Sequence, residues 1–416
     1  MKRGLLLCAV LILGLGLVFT GCERRSAGSG PTLVYWTMWN ETEPQGQVIG
    51  RAAEAFARET GIRIDINFNG RDIRRTLQPA LDAGEVIDLF DEDVDRVSTA
   101  WGSYLLSLDS YVTRSYPTTN GAPYETVVHK AMIDLARQRG GGSIKIIPYQ
   151  PFIYTTMYNK DLFARAGITA LPKTWNEMLD ACARLKAIGV AGITVDDAYM
   201  ACLFGYTMDR LVGLDACRIM VDRNDFSNPA VLELGRIWEN MARNGYIISS
   251  AAGNVWPAGQ IQDFAPGRVA MYLNGTWLPN EIRGNAPNMN WGSFAWPAIS
   301  PNGDGIEANN FSGQSFGINK NTKYPEEAFR FIVYLTTGEW DNVLAAETLG
   351  IPMGTTSNWP VQLAEAKVVV ENTTKQLPWA VGFEDKPEIN AKIIENFSKL
   401  IIGDFNAQQF ADAMRR

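Results

Sequence analysis

The sequence predicts a two-lobed α/β protein whose working site lies at the carboxyl ends of its strands. The chain has 416 residues, more than one core holds, because single hydrophobic cores stop growing near ~250–300 residues. From Thr32 onward the apolar periodicity switches between strand and helix in the order βαβαβ. A second α/β set begins near Ile144. With 46% hydrophobic and 20% charged residues, the chain has the balance of a folded body rather than a disordered one.

The elements follow in order. Residues 32–36 form a short apolar strand. Val48, Ala52, Ala53, Phe56 and Ala57 recur at helical spacing, and Gly61 takes the position just past the helix end. Ile62, Ile64, Ile66 and Phe68 alternate with Arg63, Asp65, Asn67 and Asn69, a strand with one buried face. Ile73, Leu77, Ala80 and Leu81 mark a second helix, stopped by Gly84, and residues 86–90 give a third strand. Right-handed crossovers wind such a series into a doubly wound lobe. Residues 126–139 read as an ordinary helix.

In the second set, residues 144–148 and 153–158 read as strands. Thr174-x-x-Glu177 is a capping box that starts a helix running to Gly189, and residues 190–195 give another strand. Asn228-Pro229 opens a helix that Gly245 closes. Val269, Met271 and Leu273 alternate as a strand leading into Asn274-Gly275-Thr276-Trp277, and residues 325–337 and the stretches after Pro360 and Pro387 are helical.

Composition excludes several chemistries. The formal net charge of −7 argues against nucleic acid as a partner, since phosphate binding needs a basic face. His129 is the single histidine, so a zinc site with two histidines cannot form and a Ser-His-Asp triad would have to pass through a helical residue. No Gly-Lys dipeptide occurs, which removes the phosphate loop of that type. Cys8, Cys22, Cys182, Cys202 and Cys217 form no CxxC, and a Cys202–Cys217 bridge does not follow from their spacing. Only oxygen ligands remain for a metal, so no metal or organic cofactor is expected.

Lys2-Arg3 precede an uncharged apolar run from Gly4 to Thr20, too short for a membrane span of ~20 residues and suited to an export signal. The ending Phe19-Thr20-Gly21-Cys22 resembles a bacterial lipobox, which implies removal of residues 1–21 and lipidation of Cys22. An ordinary signal peptide with a chance cysteine is the alternative. Residues 23–31 carry Ser26, Ala27, Gly28, Ser29 and Gly30, the composition of a flexible tether. The protein is therefore expected in the cell envelope, outside the cytoplasm, held to a membrane by lipid alone.

The loops after the strands concentrate carboxylates, amides and indoles. The first ends in Trp36-Thr37-Met38-Trp39-Asn40-Glu41, the third in Asp91-Glu92-Asp93-Val94-Asp95, and the one near Leu273 in Asn274 and Trp277. A sugar needs these groups: acceptors for its hydroxyls and flat apolar faces for the C–H side of its ring. In open α/β sheets ligands sit at such strand ends. Read as a calcium loop, the acidic run fails, because Arg96 stands where the sharp turn needs glycine.

Taken in order, several short motifs resemble the family 1 extracellular solute-binding proteins, the carbohydrate-binding subunits of ABC importers. They are Tyr35-Trp36-Thr37-Met38-Trp39; residues 56–61 (Phe-Ala-Arg-Glu-Thr-Gly); Ile87-Asp88-Leu89-Phe90; Met157-Tyr158-Asn159-Lys160-Asp161-Leu162-Phe163; Pro172-Lys173-Thr174-Trp175; and Gly267-Arg268-Val269-Ala270-Met271 running to Gly275-Thr276-Trp277. The resemblance implies the α/β periplasmic-binding-protein-like fold, with a ligand cleft between two lobes joined by crossing strands. It places residues 32–149 and 311–352 in the amino-terminal lobe and residues 150–310 and 353–416 in the other, with crossings near residues 148–154, 311–316 and 350–354.

The same resemblance implies a non-enzymatic monomer that captures a mono- or oligosaccharide by hinge closure and passes it to ABC permease subunits. Trp39, Trp277 and Trp379 stand where stacking aromatics are expected, with Asn40, Glu41, Glu92, Asp93 and Asn274 as hydroxyl partners. Gln150 and Gln314 supply amides at the crossing strands, while the position near Phe152, a carboxylate in maltose-type members, is apolar here. The alternatives are a secreted glycoside hydrolase, or a receptor for another solute such as a polyamine or glycerol phosphate.

Overall fold

The computed structural model describes residues 30–416; the predicted export signal, the predicted lipidation site Cys22 and nearly all of the predicted tether lie outside these. Among the described residues, ten strands form one large sheet and one small ladder: β1 Thr32–Thr37, β2 Arg63–Phe68, β3 Leu89–Asp93, β4 Ile146–Asn159, β5 Ala191–Thr194, β6 Val269–Gly275, β7 Trp291–Phe294, β8 Ala308–Asn309, β9 Phe311–Ile318 and β10 Lys375–Gln376. The large sheet runs β2-β1-β3-β9-β4-β6-β5, with β7 also on β4, and β8 pairs β10.

The first lobe grows as the periodicity predicts. β1 pairs β2 and β3 in parallel, with Leu33 and Tyr35 fully buried. The helix Pro44–Thr60 covers them with Val48, Ile49, Ala52 and Phe56 and ends at Gly61, whose φ of 76° few other residues adopt cheaply. The third strand differs from its prediction. It begins at Leu89, because its antiparallel partner β9 extends pairing through Glu92↔Ser315 and Asp93↔Gln314.

Two predicted strands, residues 144–148 and 153–158, are one. β4 pairs β9 from Ile146 to Ile153 and β6 from Tyr154 to Tyr158, so a single strand passes from one lobe into the other. Gln150 marks the passage: it has φ of 46°, and the register with β9 shifts between Tyr149 and Pro151. Residues 126–139 are not one helix. Val128 is extended and bridges Gly354, separating Tyr124–Val127 from Lys130–Arg139. That bridge, with Thr355 N–H donating to Val127 O at 2.9 Å and Asn358 N–H to Asn342 Oδ1 at 2.8 Å, keeps the chain against the amino-terminal lobe beyond residue 354. The last crossing therefore falls later than residues 350–354.

The second lobe packs the helices Met200–Val212, Ala230–Arg243, Pro387–Ile401 and Ala407–Arg415 together, while Trp175–Ala187 covers β5. The predicted capping box is present: Thr174 accepts from Glu177 N–H, and the Glu177 carboxylate accepts from Thr174 N–H at 2.9 Å. Cys182, Cys202 and Cys217 are buried free thiols. No described helix is long and apolar enough to cross a membrane.

Candidate functional site

A cavity of about 850 Å³ opens between the lobes, with the crossing strands as its floor. One wall comes from the ends of β1 and β3 and the residues after β2: Met38, Trp39, Glu43, Arg71, Arg74, Asp93, Asp95 and Arg96. The floor is Gln150, Pro151 and Phe152 of β4, Asn310, and Ser312 and Gln314 of β9. The other wall holds Tyr199, Thr276, Trp277, Asn280, Glu281, Trp379 and Glu384.

Trp39 is held from behind. Its indole N–H donates to Tyr149 Oη at 2.7 Å, and the Tyr149 hydroxyl donates to the buried Asp91 carboxylate. Met38 N–H also donates to Asp91, at 2.9 Å. Burial pushes the Asp91 carboxyl up to about 6 against the pull of these donors. The Arg71 guanidinium lies 4.8 Å over the Trp39 ring and is fixed by Glu43 at 2.8 Å.

The opposite wall is an aromatic corner. The Trp277 and Trp379 rings lie 6.0 Å apart, tilted by 34°, and Phe152 meets Trp277 edge-on at 5.0 Å. Trp277 Nε1–H donates to Tyr199 Oη at 3.3 Å and Trp379 Nε1–H to Glu384 at 2.5 Å, so both indoles have their polar edge tied, and Tyr154 packs against both rings. Gly275 makes room for this: a side chain there would start 2.1 Å from the Trp277 ring.

Among the sequence-predicted residues, Trp39, Asp93, Gln150, Trp277, Gln314 and Trp379 line the cavity. Four do not. Glu92 faces inward from β3, fully buried, with Arg74 at 2.5 Å and Arg96 at 3.5 Å, so it is a structural ion-pair partner rather than a free acceptor. Its burial, with Asp93 next to it, drives its carboxyl upward. Asn40 is exposed and donates from its backbone and side chain to Glu43. Glu41 is exposed and sits outside the lining. Asn274 is buried behind the wall, its amide oxygen taken by Gly275 N–H at 2.6 Å.

The cleft also contains residues that motif reading passes over: Arg71, Arg74, Arg96, Tyr199, Glu281, Asn310 and Glu384. Asn310 stands out because it is 6% exposed and its amide nitrogen donates to Leu377 O at 2.9 Å, which leaves Oδ1 without a partner. Gln150 is fixed the same way, with Nε2 on Thr348 Oγ1 at 2.8 Å and Oε1 unpartnered; Gln314 Oε1 is unpartnered too. Three amide oxygens buried along the floor therefore lack a hydrogen-bond partner. Among the described residues no cluster of histidine, cysteine and carboxylate side chains is set to hold a metal.

Residues 39–341 match the family described as bacterial extracellular solute-binding protein. A Brucella abortus protein named for binding is 25% identical over 243 residues, covering 56% of this chain and 54% of that protein. The multiple sugar-binding protein of Streptococcus mutans is 24% identical over 206 residues, covering 46% of this chain and 47% of its own. The chain thus spans about half the length of the curated relatives it matches. The apo form of RafE from Streptococcus pneumoniae superposes with a TM-score of 0.73 at 18% identity, covering 93% of this chain and 97% of that one. RafE is also known in complex with raffinose, at a TM-score of 0.68. Likeness at such identity establishes the two-lobed fold.

Proposed function

The chain belongs to the bacterial extracellular solute-binding proteins, and from that membership we propose that it is an extracytoplasmic receptor that closes on a saccharide and delivers it to an ABC permease. The observation that carries the reading is the cleft itself. Indole faces on one wall, fixed amide oxygens on the floor and carboxylates on both walls match a ring with an apolar C–H face and a rim of hydroxyl donors. The sugar named for the Streptococcus mutans relative and the raffinose bound by RafE support the same class. Anchoring through lipidated Cys22 and a monomeric state belong to this proposal.

Binding rather than hydrolysis is the reading that family membership supports, and on the amino-terminal wall the charge layout agrees with it. Asp93 is tied to Arg96 at 3.7 Å and to its N–H at 2.9 Å, and Asp95 to Arg139 at 2.8 Å. A hydrolase needs an acid and a base free to exchange protons across one bond. Calorimetry against mono- and oligosaccharides, polyamines and glycerol phosphate tests the proposal. Heat of binding from a saccharide, with no product released, is expected; binding confined to polyamine or glycerol phosphate, or sugar cleavage, would contradict it.

A further inference from the structure

We propose that Asp91 and Tyr149 are positioning residues for saccharide binding: their buried relay sets the Trp39 ring in the cleft wall and keeps its direction only while Asp91 carries its charge. This rests on the saccharide reading above and deepens it, since Trp39 lines the cavity and the two residues behind it do not. Asp91 and Tyr149 are fully buried, and Trp39 is 7% exposed. Two paths lead from one carboxylate to Trp39. Through the side chain, Tyr149 donates to Asp91 and accepts the indole N–H at 2.7 Å. Through the backbone, Asp91 accepts Met38 N–H at 2.9 Å, and Thr37, which also steadies the carboxylate, accepts Trp39 N–H at 3.3 Å. Asp91 comes from β3 and the turn that follows β1 brings Trp39. Tyr149 comes from β4, one residue before the left-handed passage at Gln150, so the ring is tied to the strand that joins the lobes.

Proton counting gives the relay its direction. A phenol has one proton to give. An anionic carboxylate only accepts, so the Tyr149 proton points at Asp91 and the phenol oxygen keeps its lone pairs for the indole. The charge strengthens each bond along the chain. A protonated carboxyl is itself a donor and competes for the oxygen that holds Trp39. The alternative acceptor is Tyr35 Oη, buried beside the same carboxylate with no partner. Turning toward it takes the carboxyl away from Tyr149. Either way the indole loses an acceptor fixed in place.

The groups packed against Asp91 keep this switch within reach of mild acid. Burial pushes its carboxyl up to about 6 against the pull of Tyr149, Met38 N–H, Thr37 and Tyr35, and no cation contributes. Tyr35 and Tyr149 are both driven upward by burial and stay protonated throughout. From β9 the neighbour is the uncharged Phe316. Glu92, next along β3, is engaged by Arg74 and Arg96, and Arg71 lies over the Trp39 ring itself. Affinity should therefore rise with pH through about 6. Fold stability runs the other way, because the raised carboxyl contributes most at acid pH. A relay that merely held the fold would move both in the same direction.

The test is calorimetry on the full chain with raffinose, maltotriose and cellotriose as probes, in wild type, Tyr149→Phe, Trp39→Phe and the double variant. A probe that binds should bind about five-fold tighter at about pH 7.5 than at about pH 5. Tyr149→Phe keeps its ring against Phe316, 4.4 Å between centroids, and removes only the hydroxyl. It should weaken binding about five-fold to ten-fold at about pH 7.5 and flatten the pH profile. Glu92 and Glu281 also titrate near 7, so the assignment rests on the part of the profile that Tyr149→Phe removes. In Trp39→Phe, which has no indole N–H, adding Tyr149→Phe should change nothing further. In the ligand-free protein, the indole N–H resonance that Trp39→Phe deletes should move with a midpoint of about 6 and stand still in Tyr149→Phe. Full affinity in Tyr149→Phe, an equal loss in the Trp39→Phe background, or an indole resonance indifferent to pH would overturn the inference. If the resonance titrates and none of the three probes binds at any pH, the saccharide reading falls, and the relay's part in binding falls with it.

Discussion

Indoles and acceptors divide the work of the cleft. Burying a C–H face on Trp277 stabilises any saccharide without reporting which hydroxyls it carries, whereas a fixed acceptor left without its donor penalises the wrong one. Trp277→Ala should therefore weaken every bound saccharide by roughly thirty-fold, about 2 kcal/mol, read by calorimetry. Asn310→Ala should instead change the ranking among sugars. Glu92 behaves differently from its neighbour Asp93 even though both come from one acidic run. Glu92 lies within a strand buried on both faces, whereas Asp93 ends that strand, caps the next helix and is half-exposed at the cleft, and the sequence pattern, which ends this strand at residue 90, does not carry that placement. Glu92→Ala should leave sugar ranking alone and lower unfolding stability by about 2–3 kcal/mol in urea titration, since it strands Arg74 and the Asp93 N–H.

At the level of elements, local signals were legible where chemistry is local. Gly61 ends its helix in the left-handed region, and the Thr174 capping box starts another, because both depend on residues within a turn. The sequence pattern divides β4 in two, because Pro148 and Pro151 interrupt the run that its partners β9 and β6 hold together. Close approach is equally invisible to periodicity. Gly205, in the helix Met200–Val212, lets that helix reach the turn carrying Trp379: a side chain there would meet Ala380 O at 2.3 Å. Ala380 and Val381 hold φ of 46° and 56° in that turn. Gly205→Ala should displace Trp379 and lower sugar affinity without touching any residue of the cavity, which calorimetry alongside a thermal melt would separate from simple unfolding. Retained affinity would show that the turn tolerates the shift.

The whole molecule depends on pairings between distant stretches, which is why Asn310, Glu281 and Glu384 escaped a reading based on motifs while Trp277, at the end of a strand, did not. The same burial makes stability depend on pH. Burial pushes Asp91 and Asp341 to about 6 and Asp209 to about 7, above the range of about 4 expected in the unfolded chain. Folded protein thus binds more protons than unfolded protein in that window, so their contribution is full at acid pH and is lost as pH rises through 6–7. Carboxyls held low, such as Asp109 and Asp304, are ionised in both states there and add no slope. His129, lowered chiefly by burial, opposes the trend by a single proton. The thermal midpoint should be higher at about pH 5.5 than at about pH 8; the reverse order would show that these carboxyls do not govern it.

The two lobes meet at the cleft through β4 and β9, and Arg283 already reaches from one lobe to Glu347 O on the other at 2.7 Å. Closure about these strands is what would bring the aromatic corner onto a ring held by the opposite wall. Small-angle X-ray scattering of the full chain, with and without a saccharide at saturation, tests this most directly. The account predicts a smaller radius of gyration on binding, lost in Trp277→Ala at the same ligand concentration. Calorimetric saturation with an unchanged radius would place the sugar outside the cleft and contradict it.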